Sequence, residues 1–217
     1  MSVALDQSTG YARFRRAVEE GVLRPGTTVT QSALCRALGM SLTPLRETLV
    51  VLQEFGLVEA RPRAGIRIVY PEVDFIRENF QFRRLLEIAA LDAFAETVTD
   101  DWLSGIRSRH ESILSGLTQP GEQQDYTREV AELDATFHRD IVAAMQNAEI
   151  ASTHRRLFDN IAMAQHVHRR PAYRRHLIET LEEHLVIIAA LEAGRVAEVR
   201  DGMELHLKGA IHRILSL

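Results

Sequence analysis

Ser41-Leu-Thr-Pro-Leu-Arg-Glu47 is the stretch on which the fold turns. Thr43 is a residue type that caps helices, and Pro44 suits a first helical position, where its missing N–H costs nothing. A helix is therefore expected to start here, to run to about Phe55 and to stop at Gly56. Working upstream, Gly39 breaks a short helix over Gln31–Leu38 that Thr30 caps. Before that, Leu23-Arg-Pro-Gly26 is a turn, and residues 11–20 (YARFRRAVEE) form a short amphipathic helix stopped by Gly21. Working downstream, two β-compatible runs, Leu57–Ala60 and Ile66–Val69, are joined by Arg61-Pro-Arg-Ala-Gly65. A helix, a helix–turn–helix and then a β-hairpin is the order of a winged helix–turn–helix, whose second paired helix enters the DNA major groove.

The formal net charge of −4 over 217 residues looks unfavourable for a nucleic-acid partner, but it is an average over two unlike parts. Residues 1–70 carry nine arginines against six acidic residues, net +3. Residues 71–217 carry 17 basic and 24 acidic residues, net −7, and hold all nine histidines. Such asymmetry points to two domains, 1–70 and 71–217, with different partners. Twelve Gly and six Pro exclude a collagen-like or low-complexity chain. The single cysteine, Cys35, excludes an internal disulfide and a zinc–thiolate cluster. The chain lacks an apolar run long enough to cross a membrane, and Met1-Ser-Val-Ala-Leu-Asp-Gln7 lacks the basic start of a secretory signal. A cytoplasmic location is the expectation.

From about residue 73 the strand signal disappears, and six helices are expected at about 73–98, 100–117, 123–146, 148–166, 171–193 and 196–216. Breaks are read near Thr99-Asp-Asp101, Gln119-Pro-Gly121, Asn147, Arg170-Pro171 and Gly194-Arg195. Leu177, Leu181, His184, Leu185, Ile188 and Leu191 lie down one helical face, as an antiparallel bundle requires. The fold class is thus mainly α: a winged helix–turn–helix with a small β-hairpin, followed by an all-α bundle.

Two features carry chemistry. At the start of the reading helix, the Ser41 and Thr43 hydroxyls and free N–H groups suit phosphate oxygens, and Arg46 can reach a phosphate or a guanine edge. In the hairpin tip, Arg61, Arg63 and Arg67 surround Gly65, which permits close approach to a groove. In the bundle, Asp134 and His138 are i, i+4 neighbours. His184 and His206 are equidistant from residue 195, within the predicted Gly194-Arg195 turn, so an antiparallel pair sets them at one height, about 15 Å from it. Three imidazoles and a carboxylate make a cage suited to zinc, nickel or another transition dication. Each histidine taken singly reads as an ordinary surface or satisfied core group, and that alternative stands beside the cage. His110, His154, His176 and His212 show no partner, and His166 and His168 face differently on a helix.

Residues 11–69 resemble the GntR-family winged helix through Gly21-Val-Leu-Arg-Pro-Gly26, Ser41-Leu-Thr-Pro-Leu-Arg-Glu47, Leu52-Gln-Glu-Phe-Gly-Leu-Val58 and Gly65. The resemblance implies that Ser41, Thr43, Pro44 and Arg46 sit at the operator, with Gly65 in the wing. Leu42 replaces the family's usual Arg or Lys, and Gln31 stands where an acidic residue is usual, so the operator sequence stays open. Residues 80–210 resemble the FCD effector domain through Arg83-x-x-Leu-Glu87, Asp134-x-x-Phe-His138, Asn147, Glu183-His184, Gly194 and Met203-x-x-His206. This implies the same four metal ligands, Asp134, His138, His184 and His206, and it implies that Arg83 clamps an effector carboxylate. An Arg83–Glu87 ion pair is the plainer alternative for that residue. Six effector helices look more like the VanR-type subgroup than the FadR type.

The expected function is a ligand-responsive, non-enzymatic transcription regulator: a homodimeric repressor that binds double-stranded operator DNA and senses a small carboxylate through a metal-containing domain. A helical metalloenzyme with the same four ligands is the competing reading, but it needs a general base beside metal-bound water, and Glu183 is expected to point elsewhere on its helix. A regulator that senses the metal itself is a third.

Overall fold

A computed structural model of the chain describes residues 10–119, 124–167 and 173–215. Cα packing divides it into two compact units: residues up to Ile76 with Asp159–Val167, and Arg77–Phe158 with the residues that follow Val167. Among the described residues no helix is long and apolar enough to cross a membrane.

In the first unit, α1 (Gly10–Glu19), α2 (Gln31–Leu38) and α3 (Leu42–Glu54) accompany a sheet of β1 (Thr28–Val29), β2 (Val58–Arg61) and β3 (Gly65–Ile68). The expected hairpin is present, with Val58 opposite Ile68 and Arg61 opposite Gly65. A third strand, β1, joins it on the other side of β3, with Val29 opposite Ile66. Two residues are too few to alternate visibly, so β1 left no periodic signal. The Thr30 hydroxyl caps α2 by accepting the Ala33 N–H at 3.1 Å, as its sequence position indicates. The cap of α3 is Ser41 and not Thr43: its carbonyl accepts the Leu45 N–H, and Pro44 becomes the third helical residue. Every N–H of the first turn lacks an intrahelical acceptor, so proline is as cheap there as at the first position. Phe14, Leu34, Leu45, Leu52, Leu57 and Ile68 are fully buried and form the core, joined by Met163. Asp159 accepts the Arg15 guanidinium at 2.6 Å within the same unit.

Among the described residues six helices follow: α4 (Val73–Thr97), α5 (Asp100–Thr118), α6 (Thr127–Ala143), α7 (Ala148–Val167), α8 (Tyr173–Glu192) and α9 (Val196–Leu215). Their starts are chemically marked. The Thr99 hydroxyl caps α5 at the Trp102 N–H, and Asn147 Oδ1 accepts the Glu149 and Ile150 N–H groups at the start of α7. Helix α6 is shorter than the expected 123–146. Asp125 holds the Thr127 N–H at its start, and Gln146 takes a left-handed φ of 50° beyond its end. The expected breaks at Pro120-Gly121 and Arg170-Pro171, and His168, lie outside the described residues.

The second unit's core is apolar, with Leu91, Leu133, Phe137, Ile141, Leu181, Ile187, Ile188, Val199 and Met203 almost or wholly buried. Helices α8 and α9 form an antiparallel hairpin turned at Gly194. A Cβ on Gly202 would lie 3.0 Å from Ile187, and nearer the far end Arg213 bonds Glu183. His184 and His206 fall between these two points, and the strong apolar stripe of α6 carries Asp134 and His138 against them.

Candidate functional site

Asp134, His138, His184 and His206 come together. Each offers one ligand atom, and these atoms all lie within 4.8 Å of one another. The three imidazoles are buried, and the Asp134 side chain retains 18% of its exposure. His206 Nε2 lies 3.1 Å from His138 Nε2 and 3.3 Å from His184 Nε2. Asp134 Oδ1 lies 3.4 Å from His138 Nε2 and 3.5 Å from His184 Nε2.

The outer faces of the rings decide what those inner nitrogens carry. His110 Nδ1 lies 2.7 Å from the Ile106 carbonyl, which can only accept, so the His110 proton is on Nδ1. Burial pushes His110 down in pKa, the ring is neutral, and its Nε2 accepts from His184 Nδ1 at 3.0 Å. Burial and the neighbouring imidazoles hold His184 well below the ordinary histidine range, so its Nε2 is a bare lone pair. His206 Nδ1 donates to Glu183 Oε2 at 2.8 Å, and burial again lowers its pKa, leaving a second bare Nε2. His138 Nδ1 donates to Glu87 Oε2 at 2.8 Å, so its Nε2 also faces the cluster. Burial alone would lower the His138 pKa; the Glu87 and Asp134 carboxylates outweigh burial and the nearby Arg83 charge, and raise it. Burial opposes ionisation of Asp134, yet the His138 hydrogen bond and the surrounding positive charge bring it to about 2, a firm carboxylate.

Two inward lone pairs, on His184 and His206, converge with the His138 Nε2 and an ionised carboxylate, a donor set that a cation would satisfy. Ligands about 2.0–2.2 Å from one ion are about 2.8–3.6 Å apart at neighbouring positions, a range that contains the four separations given above. An outer hydrogen bond on each imidazole, fixing its tautomer, is what metal-ligating histidines need. The donor set therefore fits a divalent transition ion, and its mixed nitrogen and oxygen character suits zinc or nickel without choosing between them.

Arg83 is buried, with Nε donating to Glu87 Oε1 at 2.5 Å and its guanidinium 4.9 Å from the Phe158 ring centre. The Arg83–Glu87 ion pair is thus present. Arg83 Nη2 nevertheless remains buried and without a hydrogen-bond partner among the described residues. An unsatisfied guanidinium N–H at such a position is costly unless an acceptor arrives.

Sequence reasoning missed the outer partners. His110 and His154 each have one: His184 for the first, and Glu87 Oε1 at 2.8 Å for the second. Glu183 does not point away from the site, as its adjacency to His184 suggested. It crosses to α9 and holds the outer nitrogen of His206, with Arg213 bonded to both its oxygens. The one available signal was Glu87 itself, a lone carboxylate in the apolar run Leu85-Leu-Glu-Ile-Ala-Ala-Leu91, which demands donors when buried.

In the first unit, Ser41, Thr43, Pro44 and Arg46 are exposed at the start of α3, and the Ser41 side chain makes no capping bond. Arg63 is exposed at the β2–β3 tip with a left-handed φ of 64°. Glu59 pairs with Arg61 and Arg67, whereas Arg46 and Arg63 form no ion pair among the described residues. Gly65 has a φ of 110°, and a Cβ there would meet the Val29 carbonyl oxygen at 2.6 Å, so this position requires glycine.

Comparison with known proteins agrees with both halves. Residues 7–68 match the gntR family of bacterial regulatory proteins, and residues 78–209 match the FCD domain. An HTH-type transcriptional regulator of Agrobacterium vitis is 32% identical over 139 residues, covering 63% of this chain and 78% of the relative. The Nta operon transcriptional regulator of Aminobacter aminovorans is 26% identical over 195 residues, 89% of this chain and 87% of the relative. Among solved structures, E. coli McbR/YncC superposes with a TM-score of 0.75 at 18% identity, over 95% of each chain. A metal-free FCD domain superposes with a TM-score of 0.53 at 19% identity, over 67% of this chain and 94% of that one. The chain belongs to the GntR family of transcriptional regulators, and its helical half is an FCD effector domain.

Proposed function

We propose that this regulator is a homodimeric repressor whose residues 71–217 bind a divalent transition metal and a small carboxylate, and whose residues 1–70 release operator DNA when the carboxylate binds. The observation that carries the reading is the convergence of three outward-anchored imidazoles and an ionised Asp134 on one point. In this reading Asp134, His138, His184 and His206 hold the ion, which supplies a Lewis-acidic centre for an oxygen ligand when bound. Arg83 gives the effector a second point of attachment: its buried, unpaired Nη2 is a donor for a carboxylate oxygen. Phe158 and Phe80 flank the guanidinium and lower the local polarity, which strengthens that contact.

On the DNA side, Arg46 reads the major groove, Ser41 and Thr43 bind phosphate with the first N–H groups of α3, Pro44 shapes that first turn, and Arg63 with Gly65 forms the wing tip. Two copies then read a pseudo-palindromic site. Effector control requires that the carboxylate bind the DNA-competent and DNA-incompetent states with different affinities. The test is fluorescence anisotropy on an operator selected from random DNA, with zinc-loaded protein and a panel of mono-, di- and tricarboxylates. Loss of operator affinity with at least one carboxylate is expected. Unchanged affinity across the panel overturns carboxylate sensing, and release by zinc alone makes the metal the signal.

A further inference from the structure

We propose that Glu87 is a positioning residue that transmits the engagement of Arg83 by an anion to the metal ligand His138. The proposal deepens the metal and effector reading given above and rests on it for its consequence, though its geometry stands alone.

Glu87 is fully buried on α4, and its carboxylate accepts three donors. Oε1 takes Arg83 Nε at 2.5 Å and His154 Nε2 at 2.8 Å, while Oε2 takes His138 Nδ1 at 2.8 Å. One carboxylate therefore joins the guanidinium to a ligand imidazole. The other two ligand rings are anchored elsewhere: His184 on the neutral His110, and His206 on Glu183, whose charge Arg213 neutralises from the α9 side. Of the three rings, His138 alone shares its anchor with Arg83, the residue whose buried Nη2 has no acceptor among the described residues.

The physical consequence follows from sharing. A carboxylate that neutralises a guanidinium polarises the imidazole on its other oxygen less, and an imidazole with a less negative partner is a poorer donor to metal. An anion that engages Arg83 Nη2 draws the guanidinium charge to itself and leaves more of the Glu87 charge for His138. Metal then binds more tightly, and by reciprocity metal strengthens the hold on the anion. His154 keeps Oε1 oriented throughout.

A double-mutant cycle on zinc affinity tests the relay, measured on the full chain by competition with a chromophoric chelator. Glu87→Gln is expected to weaken zinc binding by about 10–100-fold, the usual effect of removing an outer partner. Arg83→Gln is expected to do the opposite and tighten zinc binding several-fold. Arg83→Gln in the Glu87→Gln background is expected to change nothing. If the gain persists in that background, Arg83 acts through space and the relay is wrong; if both single variants weaken binding alike, Glu87 is only packing. Should Arg83→Gln fail to fold, the tautomers of 15N-histidine-labelled protein decide: His138 holds its proton on Nδ1 in the wild type and loses that preference in Glu87→Gln. A proton on His138 Nε2 alone, or free exchange between both nitrogens in the wild type, overturns the relay. Absence of zinc binding by wild-type protein would instead refute the metal reading, and the tautomer measurement would still judge Glu87.

Discussion

His184→Ala isolates the metal's contribution to the folded helical domain. Its ring is fully buried and stacked on Phe137 at a centroid distance of 4.2 Å, and its Nε2 is one of three convergent nitrogens. Wild-type protein with free zinc at 100 times Kd gains about 2.7 kcal/mol from ligand linkage. For a domain the size of residues 78–209, each kcal/mol raises Tm by about 3–4 °C, so zinc is expected to add about 8–11 °C over chelator-treated protein. Truncation to alanine also leaves a cavity beneath Phe137 and costs about 2 kcal/mol or more whether or not zinc is present. The absolute Tm of the variant therefore mixes two effects, and the zinc-dependent increment is the readout. Differential scanning calorimetry with and without zinc should show the full increment in the wild type and at most a small fraction of it in His184→Ala. A variant that keeps the whole increment removes His184 from the ligand set, and a wild type with no increment refutes the site.

Arg46→Ala should weaken binding to a selected operator by about 1–3 kcal/mol with little loss on random DNA if Arg46 contacts a base edge bidentately, and an equal loss on both marks a phosphate contact. Gly65→Ala places a Cβ 2.6 Å from the Val29 carbonyl oxygen at a φ of 110°, so it should cost about 1–3 kcal/mol in urea unfolding and weaken operator binding through the displaced wing. Thr30→Ala removes the cap on the Ala33 N–H and should cost about 1 kcal/mol in the same assay, with zinc affinity unchanged. Acidification should release zinc, because protons compete for the imidazole nitrogens that face the ion, and the lowered pKa values of His184 and His206 place that release below the ordinary histidine range; equilibrium dialysis in which retention never falls at any acidic pH where the protein stays folded contradicts imidazole ligation.

The sequence carried much of this in its local patterns. Thr30 caps α2 where its position indicates, α5 begins at the break read at Thr99-Asp-Asp101, and Gly39 and Gly56 end helices with left-handed φ values of 59° and 69°. The symmetry of His184 and His206 about residue 195 was legible because two antiparallel helices of constant rise must match heights across their turn, and the observed 3.3 Å separation of their nitrogens follows from it. Asp134 and His138 were legible for the same reason on a single helix. His110 and His154 were not, because their partners are 74 and 67 residues away on other helices, and packing between α5, α7 and the rest of the bundle leaves no fixed spacing in the chain. Glu183 misled through its adjacency to His184: neighbours on a helix point about 100° apart, yet a long side chain can cross to the facing helix, where Arg213 draws it. Helix α3 begins with Ser41 as its N-cap by backbone position, without a side-chain capping bond, and Pro44 did not fix the start because proline is accepted at any first-turn position.

The most direct test of the central claim is native mass spectrometry of the purified full chain in the wild type and in His206→Ala, after incubation with zinc and buffer exchange. One divalent ion per wild-type chain and none in His206→Ala is the expected result. A wild type that carries no ion, or a variant that retains one in full, would contradict it.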